Sequence, residues 1–380
     1  WWGNQVGFLA GIIYLSSPYP VIGANIVSTD SLLTAWIALQ FLCYALAVQH
    51  AQTGKRARWL VILSWLFFGL AFLTKSTAAL VPFPAILLWH WRVRPPLRLL
   101  DPLGIVLGGF IGLGWYVHEL LEPEHQEMLS LLYHEQVAGR LWSDQYHRNS
   151  GLKGVFLVYL PIMLFGTGIW SFALFRRLRH SGISGLKLLL RTDQTLTLLC
   201  LWIIVPLAVF TVSKSKLFLY LLPLFPAVAL LTAYMLFVTA DEQDRQRFGH
   251  FIGLGCASVY TLLLLKGSAA FFPTNKNMRD FYAETRSFVG QPESTHFTLV
   301  GDRELLGLQF YFQRQFDDVP LERLEEKVAA LSNSSSHGQS DILLARDKDA
   351  ETVRLALQSH DRGFKEMAVN GYTMFRVSHF

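Results

Sequence analysis

Charge is scarce in this chain. Asp, Glu, Lys and Arg make up 16% of its 380 residues, against roughly 25% in an ordinary soluble domain, while 52% are hydrophobic. That balance excludes intrinsic disorder, a collagen-like repeat and a purely soluble enzyme. Cysteine is nearly lacking: Cys43, Cys200 and Cys256 all fall inside apolar runs. A disulfide framework or a zinc ribbon is thereby excluded, and packed or lipid-facing thiols remain. No Met and no basic, apolar and small-residue leader opens the sequence. It begins Trp1-Trp2-Gly3-Asn4, as a chain whose natural N-terminus is absent. Nor do the basic residues form one stripe, although the net charge is +5 and the pI about 9.1. They sit in short clusters at the ends of apolar runs, where membrane topology puts them, so nucleic acid is not an expected partner.

What is present divides in two. Residues 1–271 are long apolar runs separated by short charged loops, and 272–380 have the composition of a soluble protein. A bilayer core of ~30 Å needs ~20 apolar residues in helix, because every backbone amide must be satisfied within the segment. About nine runs meet or approach that length: 6–24, 32–49, 59–74, 77–91, 99–117, 154–175, 195–212, 217–238 and 251–270. The third and fourth are short and are interrupted by Lys75-Ser76 and by Pro82 and Pro84, which predicts half-length or tilted helices. The expected architecture is mostly α: a polytopic transmembrane helical domain over 1–271, N-terminally incomplete, followed by a small soluble α/β domain over 272–380.

Orientation follows from counting Lys and Arg on alternate loops. The loops near 50–58, 92–98, 176–191 and 241–249 hold thirteen, and the opposite loops hold six: Lys75, Arg140, Arg148, Lys153, Lys214 and Lys216. The richer set is cytoplasmic, and an odd number of spans carries the C-terminal domain to the periplasmic side. The six exceptions oppose the topology rule, and an anionic ligand is one reason for them.

Three stretches converge on that far face. Asn25 to Asp30 precedes the second span; Ser28, Thr29 or Asp30 can cap its helix, and a carboxylate there can bind a sugar hydroxyl or a metal. The loop 118–153 carries Glu135, Arg140, His147 and Arg148. It is either a solvated interfacial helix or a mixture of phosphate-binding and proton-transfer groups. His134, Glu135 and His147 could coordinate a divalent metal, although their spacing matches no strong ligand signature. The run Ser213-Lys214-Ser215-Lys216-Leu217-Phe218-Leu219-Tyr220 joins two spans. Lys216 and Tyr220 stand one helical turn apart, and two ammonium groups and a phenol suit a phosphate or diphosphate carried on a lipid. Snorkelling lysines beside an interfacial tyrosine are the plain alternative.

The runs Ser28-Thr29-Asp30-Ser31-Leu32-Leu33, Gly69 to Lys75, and Ser213 to Pro226 resemble the multispanning GT-C glycosyltransferases, most closely the aminoarabinose transferases of lipid A and the protein O-mannosyltransferases. The resemblance covers about residues 6–240. It implies inverting transfer of a sugar from a polyprenyl (undecaprenyl or dolichyl) phosphate donor to lipid A, a protein or another glycan, at the periplasmic face of a bacterial inner membrane. It places Arg140 or Arg148, with Lys214, Lys216 and Tyr220, around the donor phosphate. Asp30 becomes an accessory acidic residue, and Lys75, Glu135 and His147 become substrate-loop candidates. Thr74-Lys75 matches a recurrent Thr-Lys-Gly motif in which Ser76 replaces the glycine. The family's catalytic aspartate lies in a loop upstream of everything matched here, so the resemblance assigns no general base to this chain. No cofactor is implied beyond a possible divalent metal.

In the C-terminal part, 295–300 and 341–345 have the pattern of buried strands, and 303–313, 321–331 and 350–359 that of helices. Asn370-Gly371 marks a two-residue hairpin turn. Two other functions compete with transfer. A transporter or flippase of lipid-linked substrates predicts charges near span centres, where few occur. A non-catalytic membrane scaffold would present the soluble domain to partners.

Overall fold

The computed structural model describes residues 3–123, 126, 130, 149, 151–237, 248–269, 271–272, 277–290, 292–301, 305–331 and 340–377, with the backbone alone at 180–191 and 294. The chain forms two compact units, Trp1–Leu265 and Lys266–Phe380.

In the first unit the apolar runs fold into helices α1 (Asn4–Leu15), α2 (Pro18–Ala24), α3 (Asp30–Gln52), α4 (Arg58–Leu80), α5 (Phe83–Val93), α6 (Pro102–Leu121), α7 (Gly151–Phe165), α8 (Ile169–Thr192), α9 (Gln194–Val212), α10 (Phe225–Phe237) and α11 (Phe248–Ala269). A 3₁₀ turn over Phe218–Leu224 leads into α10. Among the described residues six helical segments are long and apolar enough to cross a membrane, or eight if each bent pair counts as one crossing. The bent pairs are α1 with α2, at 63°, and α7 with α8, at 83°. The nine expected runs differ from this at the third and fourth. Helix α4 continues through Lys75 to Leu80 with a kink at that residue, and Pro82 and Pro84 begin α5, which is only 11 residues long. Eleven residues rise about 16 Å, half of a bilayer core.

The starts of α4 and α6 nevertheless lie side by side. Arg58 Nε donates to Asp101 Oδ2 at 2.7 Å, so the chain leaves that end along α4 and has come back to it by residue 101. Asp101 also caps α6, accepting from the amides of Leu103 and Gly104, and Pro102 fills the first helical position where a missing N–H costs nothing. The Arg58 hydrogen bond holds the Asp101 carboxyl below the usual carboxylate range.

Helices α4 and α6 approach closely because one face of α6 is Gly104, Gly108 and Gly112, the small-residue spacing that lets membrane helices touch backbone to backbone. A Cβ on Gly108 would lie 2.4 Å from the Trp65 carbonyl oxygen, and one on Gly69 would lie 2.3 Å from that of Gly108. The interior is filled by large apolar side chains of α3, α5, α9 and the 3₁₀ turn. Phe41 stacks on Trp202 at 3.9 Å between ring centroids, and the Trp89 indole N–H reaches the Gln194 carbonyl at 2.6 Å.

The second unit contains β1 (Thr295–Val300), β2 (Phe316–Val319), β3 (Ser340–Arg346), β4 (Phe364–Val369) and β5 (Tyr372–Val377), with α12 (Met278–Val289), α13 (Leu306–Phe312), α14 (Leu324–Ala330) and α15 (Ala350–Ser359). The sheet order is β2-β1-β3-β5-β4. Strands β2, β1 and β3 run parallel, and β5 and β4 add antiparallel. Helical crossovers cover both faces of the parallel part, which is why β1 and β3 are apolar on both sides. The β4–β5 loop is two residues, Asn370 and Gly371, both with positive φ (53° and 81°), the backbone that a type I′ turn requires. The expected strands, helices and hairpin are present. Strand β2 and helix α12 were missed, since Phe316-Asp317-Asp318-Val319 is too short and too acidic to signal a strand.

Replacing Gly108 by Ala should lower the stability of the first unit by about 1–3 kcal/mol, the cost of overpacking a tight helix contact. Thermal unfolding in detergent measures it, and an unchanged midpoint would mean that the two backbones do not touch.

Candidate phosphate site at the α3–α4 helix ends

Asp30 is the first residue of α3, where the N-terminal end of the helix dipole favours a carboxylate. The Ser28 hydroxyl accepts from the Asp30 amide at 3.3 Å, and no side chain caps the helix at Thr29. Of the two expected roles for this stretch, then, Ser28 serves the helix start and the Asp30 carboxylate is free for another partner. That partner is Lys75, whose Nζ lies 2.6 Å from Asp30 Oδ1. The side chains are 7% and 25% exposed respectively.

Lys75 reaches Asp30 because α4 breaks there, with φ −160° and ψ 77°. The Thr74 hydroxyl donates to the Leu70 carbonyl at 2.7 Å, supplying one carbonyl before the break. The same ammonium lies 5.6 Å from the centroid of the Tyr220 ring, a cation–π distance. Phe210 stacks on Tyr220 at 5.4 Å. Tyr19 on α2 donates its hydroxyl to the Phe218 carbonyl, and its ring packs on Phe225. Thus α2, α3, α4 and the 3₁₀ turn meet at one point.

The two lysines of the 213–220 run separate in the fold. Lys214 is exposed, while Lys216 is 2% exposed. Nζ of Lys216 donates to the Ser213 carbonyl at 2.6 Å, and its own carbonyl accepts from Asn149 Nδ2 at 3.4 Å. Its stem lies against Gly154, where a Cβ would fall 2.8 Å from Lys216 Cδ and 1.8 Å from the Asn149 carbonyl oxygen. Glycine at 154 is what admits this buried lysine.

Helix α7 widens after Gly154 into a π turn over Val155–Tyr159. Pro161 follows, and a proline that cannot donate and that crowds the preceding turn accounts for the looser spacing. Tyr159 ends the π turn 1% exposed, within electrostatic reach of Tyr19 and Tyr220. Tyr19 and Tyr159 went unnoticed in the sequence because each is one tyrosine in an apolar run. Arg140, Arg148, Glu135 and His147, with the possible metal ligand His134, lie outside the described residues. Among the described residues no three His, Cys, Asp or Glu side chains are grouped to hold a metal ion.

The cluster therefore offers a cation neutralised on one side by a carboxylate together with phenols, and the run that supplies Tyr220 also buries a second cation. An ammonium has three N–H donors and the Asp30 bond uses one, so the arrangement can take an anion. A separate apolar cavity of about 390 Å³ lies among Val6, Phe41, Leu46, Leu198, Trp202 and Leu230.

Residues 1–115 match the family model described as dolichyl-phosphate-mannose-protein mannosyltransferase. Over 287 residues the chain is 31% identical to the undecaprenyl phosphate-alpha-4-amino-4-deoxy-L-arabinose arabinosyl transferase of Aeromonas salmonicida, covering 72% of this chain and 49% of that protein. The chain belongs to the GT-C glycosyltransferases of the aminoarabinose transferase type. The Pectobacterium atrosepticum protein of the same description is 32% identical over 244 residues, 61% of this chain and 40% of its own length. This member of the family spans about half the length of the curated relatives it matches. Its fold is that of ArnT from Cupriavidus metallidurans, solved bound to undecaprenyl phosphate. That similarity has a TM-score of 0.70 at 17% identity, over 99% of this chain and 79% of that one. It is an integral membrane protein, as its apolar helices and its relatives both indicate.

Removing either member of the Asp30–Lys75 pair leaves a largely buried charge alone. Asp30→Asn and Lys75→Gln should each cost about 3 kcal/mol in the first unit, and the double variant should recover part of the sum. Melting curves in detergent form the cycle, and strictly additive losses would show that the two charges do not interact.

Proposed function

We propose that this chain carries the donor-phosphate half of a glycosyl-transfer site. In this reading it takes a sugar linked through phosphate to a polyprenol and transfers it to a lipid acceptor of the lipid A type, at the periplasmic face of the inner membrane. The observation that carries the reading is the Lys75 ammonium held between the Asp30 carboxylate and the Tyr220 ring, with Lys216 buried on the same 213–220 run. Residues 1–271 form the multispanning transfer domain in this reading, and 272–380 a soluble periplasmic α/β domain.

The chemistry asks little covalent work of the protein. An acceptor phosphate oxygen or hydroxyl attacks the anomeric carbon from the face opposite the carrier, the bond to the carrier's phosphate oxygen breaks with its electron pair staying on the departing lipid phosphate, and where the acceptor is a hydroxyl its proton leaves with that phosphate. Ammonium groups stabilise charge that grows there, and most strongly where lipid and protein exclude water. Lys75 and Lys216 serve as those groups. Asp30 is already bonded to the Lys75 ammonium, and its role in this reading is to position that lysine. Lys214, exposed next to the site, contributes charge at the entrance. Arg140, Arg148, Glu135 and His147 belong to the same reading as donor and substrate contacts. A flippase would need charged groups along the middle of its path, whereas Asp30, Lys75 and Asp101 stand at helix ends or at a break.

Two measurements test this. Native mass spectrometry of the intact chain in detergent should show undecaprenyl phosphate bound, with Lys216→Ala weakening it about tenfold to a hundredfold, the worth of a charge-assisted contact to an anion. Wild-type affinity in that variant would remove Lys216 from the site. A cysteine at the exposed position, Lys214→Cys, should react with a membrane-impermeant maleimide added outside the inner membrane; labelling from the cytosol alone would invert the topology and sink the reading.

A further inference from the structure

Tyr159 has a hydroxyl that is sealed from solvent and has no hydrogen-bond partner among the described residues. A buried phenol normally finds one, because an unmade bond costs the desolvation of the group. The neighbours are polar. Tyr19 and Tyr220 are within electrostatic reach, Tyr220 lies beneath the Lys75 ammonium, and the same π turn begins at the glycine that seats Lys216. Tyr19 is not the missing partner, since no hydrogen bond joins the two phenols and the Tyr19 proton goes to the Phe218 carbonyl. The π turn itself is a local departure from regular helix that sets the direction of the residue ending it, and such turns concentrate where a side chain must be aimed at a ligand.

We infer that the Tyr159 hydroxyl donates a hydrogen bond to a phosphate oxygen of the ligand held by Lys75 and Tyr220, as a third, neutral contact to the anion. The phenol adds direction where the ammonium adds charge. An O–H donor fixes the rotation of the phosphate about the carrier bond, and therefore where the attached sugar points. The inference rests on the reading that this site takes a polyprenyl phosphate. A phosphate monoester, a phosphodiester and free phosphate all present the same acceptor oxygens, so the test must separate headgroup from tail.

The experiment uses the full chain in detergent, with Tyr159→Phe beside wild type, and three probes: undecaprenyl phosphate, undecaprenol and inorganic phosphate. Binding is read by native mass spectrometry and the unfolding midpoint without ligand by thermal melting. Tyr159→Phe should weaken undecaprenyl phosphate about tenfold, the worth of one hydrogen bond to a charged acceptor. It should leave undecaprenol untouched and leave the ligand-free midpoint level or raised, since it deletes an unsatisfied buried group. Equal undecaprenyl phosphate affinity in the two proteins overturns the inference. So does a lowered ligand-free midpoint with parallel losses for the phosphate and the alcohol, which would mean a packing role. If wild type binds no undecaprenyl phosphate, the carrier-lipid reading fails. In that case a midpoint raised by inorganic phosphate in wild type but not in Tyr159→Phe upholds the anion contact, and no such difference removes it too.

Discussion

The bond between Lys75 and Asp30 is the constraint on which the candidate site depends. Two charges out of bulk water are expensive unless their geometry is good, and here the geometry is set by helices rather than by the side chains. Asp30 stands at the first turn of α3, where exposed amides already favour a carboxylate. Lys75 stands at the one non-helical residue within α4. The break directs the lysine toward Asp30, and the ammonium is then close enough to Tyr220 for its charge to fall on the ring face. Glycines 104, 108 and 112 press α6 against α4 lower in the same helix, so the position of Lys75 traces back to the absence of side chains on another span.

Around that bond the chain solves a second problem, the placement of Lys216. A lysine 2% exposed would be costly without partners. Its ammonium donates to a carbonyl three residues earlier, its stem fits where Gly154 has no Cβ, and its backbone is tied to Asn149. Lys214, two residues away, meets none of these conditions and stays in water. Two lysines alike in sequence thus have different environments, and different chemistry follows from burial alone.

The soluble unit obeys simpler rules. Parallel β2, β1 and β3 are covered on both faces by helices, and the hairpin of β4 and β5 extends the sheet antiparallel. Its turn is dictated by Asn370-Gly371, and its apolar strands by burial on two sides. The His296 imidazole lies between Asp317 and Asp341 across the three parallel strands. Lys327 bonds Asp317 and holds that carboxyl below its usual range.

Much of this was legible in the residues. Runs of about 20 apolar residues dictate spanning helices because lipid offers no hydrogen bonds, and the strands and hairpin of the second unit follow from periodicity and turn chemistry. The motif lysines and Tyr220 stood out because the topology expected from the loop charges gives basic groups there no reason to be present. What the sequence could not disclose is which distant residues meet. That Asp30 would face Lys75 across 45 positions, that α4 would run through its interruption instead of ending at it, and that Tyr159 would lie sealed near Tyr19 and Tyr220 all depend on how helices cross. Crossing is decided by packing between segments far apart in the chain. Local pattern fixes which segments are helices; only tertiary contact decides which of their ends share a pocket.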